Sequence, residues 1–381
     1  MVMKRKEIKY IGFYDLPDSK IKRVSNPAAT NKMDYICDAI IEAGYAVQIV
    51  SPSWTVKEGT FKSLPQETID LKTHKRITFC PNFVTSNKIT RNLKIVFSLL
   101  WLFFWLLLNT RRGEKILMYH VQWLSLPVRW AKKLKGFNLI LEVEEIYGDV
   151  SAIHPYFQKM EGDIIDSADA YLLSTDLLAH KIPGIKPFTV IYGSYSVYPQ
   201  LCTPADDGKI HLLYAGIVDT HKAGAFNAVN AARYLSDKYI LHIIGFGAID
   251  LLRKEIEDVN SLQGCRVIYD GLLSGEEYVQ FCQQCHIGLS TQNVEGKYLE
   301  SSFPSKILSY LGMGLDVVSG KIECVTHSAI GDIVNYYSGT SPSAISAAIL
   351  DAQIKDRKNN MKVIQSLNES FIEQLRKEIL K

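Results

Sequence analysis

Two hydrophobic periods alternate along the chain. Short apolar runs that fit buried strands are separated by segments whose apolar residues recur every three or four positions, as in amphipathic helices. The first run, from Lys9 to Tyr14, precedes a helical segment from Lys32 to Glu42, for which Thr30 or Asn31 is the expected N-cap. Strands that alternate with helices in this way are typical of parallel sheets with crossover helices. The pattern therefore predicts an α/β fold.

The alternation stops once and then restarts. The stretch from Tyr195 to Lys209 carries prolines and polar residues without periodicity, which is typical of a linker. Because 381 residues exceed one ordinary core, we expect two domains, spanning residues 1–195 and 210–356. The final charged helix, within residues 357–381, is predicted to pack back onto the first domain.

Composition narrows the class of protein. A content of 47% hydrophobic and 22% charged residues is typical of a globular protein, and a net charge of +3 without a long basic run gives nucleic-acid binding no support. The apolar stretch near the N-terminus is cut off at Asp15, too early for a signal peptide, so a cytoplasmic location is expected. Seven scattered cysteines then predict reduced thiols.

One apolar segment is unusual for a globular cytoplasmic protein. The residues from Ile95 to Leu108 are apolar on every face apart from Ser98. A helix over these positions would be about 21 Å long, too short for the roughly 30 Å of a bilayer core. Basic residues flank the segment, and Trp101 and Trp105 lie within it. Two hypotheses stay open: a buried helix of the first domain, or a face that lies against anionic lipid.

Candidate chemistry comes late in the chain, between Phe303 and Ser319. Pro304 suits the first turn of a helix, so Ser305 and Lys306 are expected at a helix start. Unpaired backbone N–H groups and the positive helix end bind phosphate oxygens at such a place. A glycine stop and an apolar strand follow. We interpret the segment as a phosphate-binding turn for a nucleotide-type donor.

This segment resembles the donor helix of two-domain GT-B sugar-nucleotide glycosyltransferases, in particular bacterial enzymes similar to family 4. The residues that match the family motif are Pro304, Ser305, Lys306, Tyr310 and Gly314. Ser309 replaces the glutamate that holds the donor ribose in that family, and a serine cannot accept two ribose hydroxyls at once. Glu295 and Glu300 are either substitutes for that carboxylate or ordinary loop acids.

A second match lies earlier in the same half. In the family, a strand that ends in glycine is followed six residues later by a lysine that holds the donor diphosphate with a neighbouring arginine. Gly216 and Lys222 have this spacing, and Ile217 occupies the arginine position. The resemblance implies donor-binding roles for Gly216, Lys222, Gly245, Phe303, Pro304, Ser305, Lys306 and Ser309.

The resemblance also places acceptor and catalytic groups on loops of the first domain. Glu144 and Glu145 follow an apolar strand that carries Glu142, and a carboxylate there is a candidate to orient or deprotonate an acceptor hydroxyl. Structural acids satisfied by loop N–H groups are the alternative, and both stay open. Asn31 is the third candidate catalytic residue. The expected acceptor-binding residues are Tyr14, Asp15, Asn26, Thr30 and His120.

These features predict a GT-B architecture, with two Rossmann-like domains whose parallel sheets face an interdomain cleft. The resemblance implies transfer of a hexose from a nucleoside diphosphate sugar, with UDP expected, to a sugar hydroxyl of a lipid-linked surface-glycan precursor. The protein would be cytoplasmic and peripheral on the inner face of the plasma membrane. No cofactor or metal is expected. The departures at Ile217 and Ser309 keep two alternatives open: a non-catalytic partner subunit and a GT-B sugar-nucleotide epimerase.

Overall fold

The computed structural model describes residues 5–56, 59–85, 88–150, 153–294, 299, 302–352 and 357–381. The chain divides into two compact units, and each is an α/β structure. The N-terminal unit comprises Met1–Ile191 and Ser370–Lys381, and the C-terminal unit comprises Tyr192–Glu369. The stretch predicted as a linker therefore belongs to the C-terminal unit.

The N-terminal unit is built on a sheet in the strand order β10-β9-β8-β7-β1-β2-β5-β4. All its neighbouring strands are parallel except β4, which pairs antiparallel with β5, and β3 and β6 form a separate antiparallel pair. The strands are β1 (Glu7–Ile11), β2 (Ala46–Ser51), β3 (Lys62–Leu64), β4 (Glu67–Lys72), β5 (Lys75–Phe79), β6 (Asn82–Val84), β7 (Lys115–Tyr119), β8 (Asn138–Val143), β9 (Ala170–Leu173) and β10 (Phe188–Val190). The strand order reverses between β1 and β7.

Helices connect these strands. They are α1 (Pro27–Glu42), α2 (Lys88–Asn109), α3 (Gln122–Lys135), α4 (Tyr147–Val150) and α5 (Pro155–Ser167). The prediction that α1 starts at Lys32 with a cap at Thr30 or Asn31 is wrong. Asn26 is the N-cap, its side chain accepts the Ala28 N–H, and Pro27 takes the first helical position.

Helix α2 corrects the length expected for the apolar segment. It has 22 residues, hence a length of about 33 Å, and its part from Thr90 to Asn109 is long and apolar enough to cross a membrane by length and composition. Only one face is buried, with Leu102 and Leu106 fully enclosed in the core. The opposite face exposes Leu93, Val96, Phe97, Leu100, Phe104 and Leu108. The hypothesis of a buried helix therefore holds only for the minority of α2 that faces the core.

The C-terminal unit has a parallel sheet in the order β13-β12-β11-β14-β15-β16. Its strands are β11 (Ile210–Ala215), β12 (Tyr239–Ile244), β13 (Arg266–Gly271), β14 (Ile287–Ser290), β15 (Asp316–Gly320) and β16 (Asn335–Tyr337). The chain runs outward from β11 to β13 and then resumes on the other side of β11 at β14. The carboxyl ends of β11 and β14 therefore form the switch point at which open α/β sheets bind ligands.

Helices flank this second sheet. They are α6 (Gly224–Ala232), α7 (Ile249–Asn260), α8 (Gly275–Gln284), α9 (Lys306–Gly312), α10 (Glu323–Thr326), α11 (Pro342–Asp351) and α12 (Arg357–Gln374). The part of α12 from Ser370 onward belongs to the N-terminal unit. Apolar side chains of β11, β12 and α6 make up much of the core of this unit.

Candidate functional site

The backbone approaches unusually closely at the ends of β11 and β12. The Gly216 N–H donates to the Ile244 carbonyl at 3.0 Å, which continues the β11–β12 ladder beyond the strands. A Cβ atom on Gly245, whose φ is +150°, would lie 1.8 Å from the Gly216 carbonyl oxygen. Only glycine fits there.

Tyr310 fixes α9 against this edge. Its ring packs flat against β14, where a Cβ on Gly288 would lie 2.3 Å from the ring. Its hydroxyl accepts the Ala215 N–H at 2.8 Å, at the end of β11. Because residues four apart lie on the same face of a helix, this anchoring places Lys306 at the same strand end.

Lys306 supplies a cation at the switch point. Its Nζ lies 3.9 Å from the ring centroid of Tyr214 and 3.2 Å from the position of a Cβ on Gly216. Burial, and secondarily the charge of Lys222, lower the pKa of the Lys306 ammonium to about 7. An anion bound beside this partly buried lysine would favour the charged ammonium and raise its pKa again.

Lys222 lies on the loop that follows β11. The residue is exposed, and its carbonyl accepts the Asn293 N–H at 3.0 Å. A second tie comes from Asn227, which donates to the Thr291 carbonyl at 2.9 Å. The loop after β11 is therefore bonded to the segment after β14, and Lys222 is near enough for its charge to act on Lys306.

The start of α9 differs from the expected phosphate-binding turn. The N–H groups of Ile307 and Leu308 donate to the carbonyls of Pro304 and Ser305, each at 3.1 Å, so these two donors are already used. The helix has seven residues, and Ser305 is exposed without a capping side-chain bond. The site therefore depends on the lysine side chain more than on the helix end.

Two of the other predicted donor-binding residues, Phe303 and Ser309, contact tyrosines. Phe303 is buried against the ring of Tyr192, with 4.9 Å between centroids. Ser309 hydrogen-bonds the Tyr198 hydroxyl, and burial raises the pKa of that phenol. Glu295 and Glu300, the possible substitutes for a ribose-binding carboxylate, lie outside the described residues.

The carboxylates of the N-terminal unit gather at the end of β8. Glu142 is fully buried and accepts a hydrogen bond from the Tyr10 hydroxyl. Burial, followed by the charge of Glu144, raises the pKa of Glu142 to about 8. Glu144 forms an ion pair with Lys32, which also donates to the Ile191 carbonyl at 3.0 Å. Glu142 is thus a protonated structural acid near neutral pH, and Glu144 and the partly buried Glu145 stay candidates for chemistry.

Four predicted acceptor-binding residues lie deeper than expected. Tyr14 is buried, and its hydroxyl donates to Asp34 at 2.9 Å. Asp15 is buried and accepts the Arg23 N–H at 2.8 Å. Thr30 and His120 are buried as well. These side chains are enclosed in the N-terminal unit, and their acceptor-binding roles stay predictions.

His120 is buried because other elements of the N-terminal unit pack around it. It follows β7 and packs against the ring of Tyr147, with 5.4 Å between centroids. Burial lowers the pKa of the imidazole to about 4, so the ring is neutral at pH 7. Asn26 and Asn31 are exposed, although Asn26 is engaged as the cap of α1.

Sequence reasoning missed the role of Tyr214 under the lysine and of Gly288 under Tyr310. Alternation gives no information on which aromatic ring a lysine from a distant helix will reach. Gly288 did offer a signal, since an isolated glycine within an apolar strand indicates close approach of another group.

The buried acid gives a prediction for stability. The folded pKa of Glu142 lies above its ordinary value, so its contribution to stability is full below about pH 4.5 and is lost as pH rises towards 8. Glu142→Gln, which cannot ionise, should therefore gain stability relative to the wild type over that range, by up to about 1.4 kcal/mol per pH unit. Denaturant unfolding at pH 5 and pH 8 measures this gain, with exposed Glu67→Gln as the control. The same gain in both variants would contradict the assignment.

Two Rossmann-like units with these strand orders define the fold class, and the chain has the GT-B fold, as predicted. No family model and no curated protein matches the sequence. Among solved structures, the chain is similar to a sucrose-phosphate synthase from Thermosynechococcus elongatus, with 15% identity, a TM-score of 0.67 and 97% of each chain covered.

Two further structures are similar over nearly their whole length. One, described as trehalose-6-phosphate from E. coli bound with UDP-2-fluoro glucose, has 10% identity and a TM-score of 0.64, with 98% of this chain and 99% of that chain covered. The other is the apo form of the lipopolysaccharide outer core galactosyltransferase WaaB, with 16% identity, a TM-score of 0.63 and coverage of 97% and 99%. At these identities the likeness concerns the fold.

Proposed function

We propose that the protein is a glycosyltransferase that moves a hexose from a nucleoside diphosphate sugar, with UDP as the expected nucleotide. The observation that carries this proposal is the Lys306 cation beside Gly216 at the switch point of the C-terminal unit. Support comes from two similar structures, one described as bound with UDP-2-fluoro glucose and one described as a galactosyltransferase. We further propose that the acceptor is a sugar hydroxyl of a lipid-linked surface-glycan precursor.

The reaction breaks the bond between the anomeric carbon and the diphosphate oxygen. The electron pair leaves with the diphosphate, and the Lys306 ammonium, with Lys222 on the next loop, stabilises the charge that develops there. No metal is required for this electrostatic role. The acceptor oxygen bonds to the anomeric carbon and gives up its proton, for which Glu144 and Glu145 are the candidate acceptors.

The proposed location follows from α2. We propose that the protein works in the cytoplasm, peripheral on the inner face of the plasma membrane. The exposed apolar residues of α2, Leu100, Phe104 and Leu108 among them, support contact with lipid. A lipid-linked acceptor would be reached from that position.

Transfer of label tests the function. The protein is incubated with sugar nucleotides labelled in the hexose and with a lipid extract of bacterial membranes, with and without EDTA. Label that moves into the organic phase, insensitive to EDTA, supports the proposal. A changed sugar on the nucleotide without any acceptor would indicate an epimerase, and no conversion with any donor would favour a non-catalytic partner subunit.

The lowered pKa of Lys306 predicts a pH-dependent affinity. The free amine titrates near pH 7, and a bound diphosphate raises that pKa, so binding takes up a proton above pH 7. Affinity for UDP-glucose should be constant below about pH 6, fall about twofold by pH 7, and fall about fivefold more between pH 7 and pH 8. A sugar nucleotide has no terminal phosphate whose ionisation near pH 6 would obscure the effect. Calorimetric titration measures the profile, and a slope that persists in Lys306→Ala would show that another group titrates.

A further inference from the structure

A groove lies between α2, α3 and α5 of the N-terminal unit. Its volume is about 480 Å³, within the roughly 300–1,000 Å³ of pockets that hold small ligands. Its walls are apolar, and they include Leu100 and Phe103 of α2, Leu126 and Trp130 of α3, and Met160 of α5. None of the residues proposed for sugar-nucleotide or acceptor binding lines it.

The helices on both sides of the groove expose apolar side chains along their length. On α3 the exposed apolar residues follow helical spacing and are Trp123, Leu126, Trp130 and Leu134. The equivalent stripe of α2 ends at Leu108, which is 83% exposed. Scattered exposed leucines are ordinary, but two adjacent stripes around an apolar groove are typical of a surface that contacts another apolar phase.

Charge around the groove indicates what covers it. Residues 91–135 contain nine lysines and arginines and one acid, Glu114, whereas the whole chain is nearly balanced at 43 basic and 40 acidic residues. Three of the nine are engaged elsewhere: Lys94 is buried, and Arg129 and Lys132 form ion pairs with acids. Arg91, Arg111 and Arg112 are exposed towards the two ends of α2. Lys133 lies 5.4 Å above the ring of Trp130 at the rim of the groove. Clustered basic side chains around an apolar face are complementary to an anionic lipid surface.

Helix α2 is not free to cross a bilayer in this fold. Lys94 is buried, and its Nζ donates to the Thr55 carbonyl at 2.8 Å. Leu102 and Leu106 are fully enclosed in the core of the N-terminal unit. A spanning orientation would remove all three from their partners, so the exposed stripe can meet lipid only with α2 lying along the membrane surface.

We propose that the groove between α2, α3 and α5 takes up one hydrocarbon chain of an anionic phospholipid from the bilayer surface. The basic residues at its rim hold the headgroup region, and the apolar walls replace the chain's neighbours in the bilayer. This rests on the membrane location proposed above and deepens it, and it needs no sugar nucleotide. It predicts contact between Trp130 and acyl chains.

Vesicles with brominated acyl chains test the proposal without any sugar nucleotide. Bromine quenches tryptophan fluorescence on contact, so vesicles of phosphatidylcholine and phosphatidylglycerol with brominated chains should quench the wild-type protein. Trp123 lines the groove as well, so quenching should fall in part in Trp130→Phe and be lost for the most part when Trp123 is also replaced by Phe. Quenching should also weaken at high salt, because exposed charges are then screened. It should be weaker with vesicles of phosphatidylcholine alone, which carry no net negative charge.

Two leucines of α3 form a matched pair of variants. Leu126 lines the groove and Leu134 lies outside it, and both are exposed, so neither replacement should unfold the protein. Leu126→Asn should weaken binding to the anionic vesicles about tenfold or more and remove the quenching of Trp130. Leu134→Asn should stay within about threefold of the wild type.

Three results would overturn the groove proposal. The first is an absence of quenching by brominated vesicles. The second is equal weakening by both variants, which would indicate a general apolar face without chain uptake. The third is a concentration-dependent dimer that Leu126→Asn abolishes, which would show that a second copy covers the groove. Each can occur with hexose transfer intact, so failure here is distinguishable from failure of the transferase proposal.

Discussion

Lys306→Ala is expected to lower turnover by about 10²-fold or more, the effect of removing one group that stabilises charge in the transition state. The lysine lies beside Gly216 and over Tyr214, where its charge can meet the leaving diphosphate. Removing it leaves Lys222, on an exposed loop, as the remaining cation of the proposed pair. Initial rates of hexose transfer at saturating donor measure the loss.

The control for this variant is Lys254→Ala, on an exposed part of α7. It removes the same charge from the same unit, away from the switch point, and should leave the rate unchanged. Lys306→Arg should recover part of the lost activity, because it restores a cation of different shape. A wild-type rate in Lys306→Ala would remove the lysine from the mechanism.

Gly245→Ala is expected to destabilise the protein by about 3–5 kcal/mol, or to prevent folding of the C-terminal unit. The new methyl group would lie 1.8 Å from the Gly216 carbonyl oxygen, and the residue would be held at a φ of +150°. The backbone must then separate at the strand ends that form the site. Thermal or denaturant unfolding measures the change.

Gly271→Ala separates clash from backbone strain. Gly271 ends the neighbouring strand β13 with a φ of +86°, but nothing lies within 4 Å of an added Cβ. Its replacement should cost only about 1–2 kcal/mol, the strain of a left-handed residue. Equal losses in the two variants would mean that the close approach of the strand ends contributes nothing.

The parallel sheets of both units were predictable from the sequence. Buried parallel strands are short apolar runs, and the helices between them are amphipathic, so both periods are local and visible. The start of α1 was also locally encoded, since Asn26 followed by Pro27 is an ordinary cap and first position of a helix. Thr30 and Asn31 are also residue types that commonly cap helices, so the sequence offered a second, incorrect start for α1.

The extent of α2 depended on a distant contact. Arg91 and Lys94 precede its continuous apolar run, so the apolar pattern alone predicts a helix start that is too late in the chain. Lys94 is accommodated in the core because Thr55, 39 residues earlier, accepts its hydrogen bonds. Pattern reasoning cannot supply such a partner, and it therefore underestimated the helix by about two turns.

The candidate site was predictable from the sequence only where it depends on local spacing. The spacing around Lys306 and Gly216 is local, and the structure brings these two residues together. The burial of Tyr14 and His120 is set by Asp34 and Tyr147, which approach from other elements of the N-terminal unit. The roles predicted for the carboxylates after β8 stay predictions.

The most direct test of the donor site is a thermal-shift and calorimetric screen of wild-type protein and Lys306→Ala. Ligands are UDP, GDP, ADP, CMP and their common sugar forms, each with and without EDTA. We expect a rise of several degrees in the wild type with one nucleotide family, UDP foremost, unaffected by EDTA and largely lost in Lys306→Ala. No shift with any nucleotide, or an equal shift in the variant, would contradict the account.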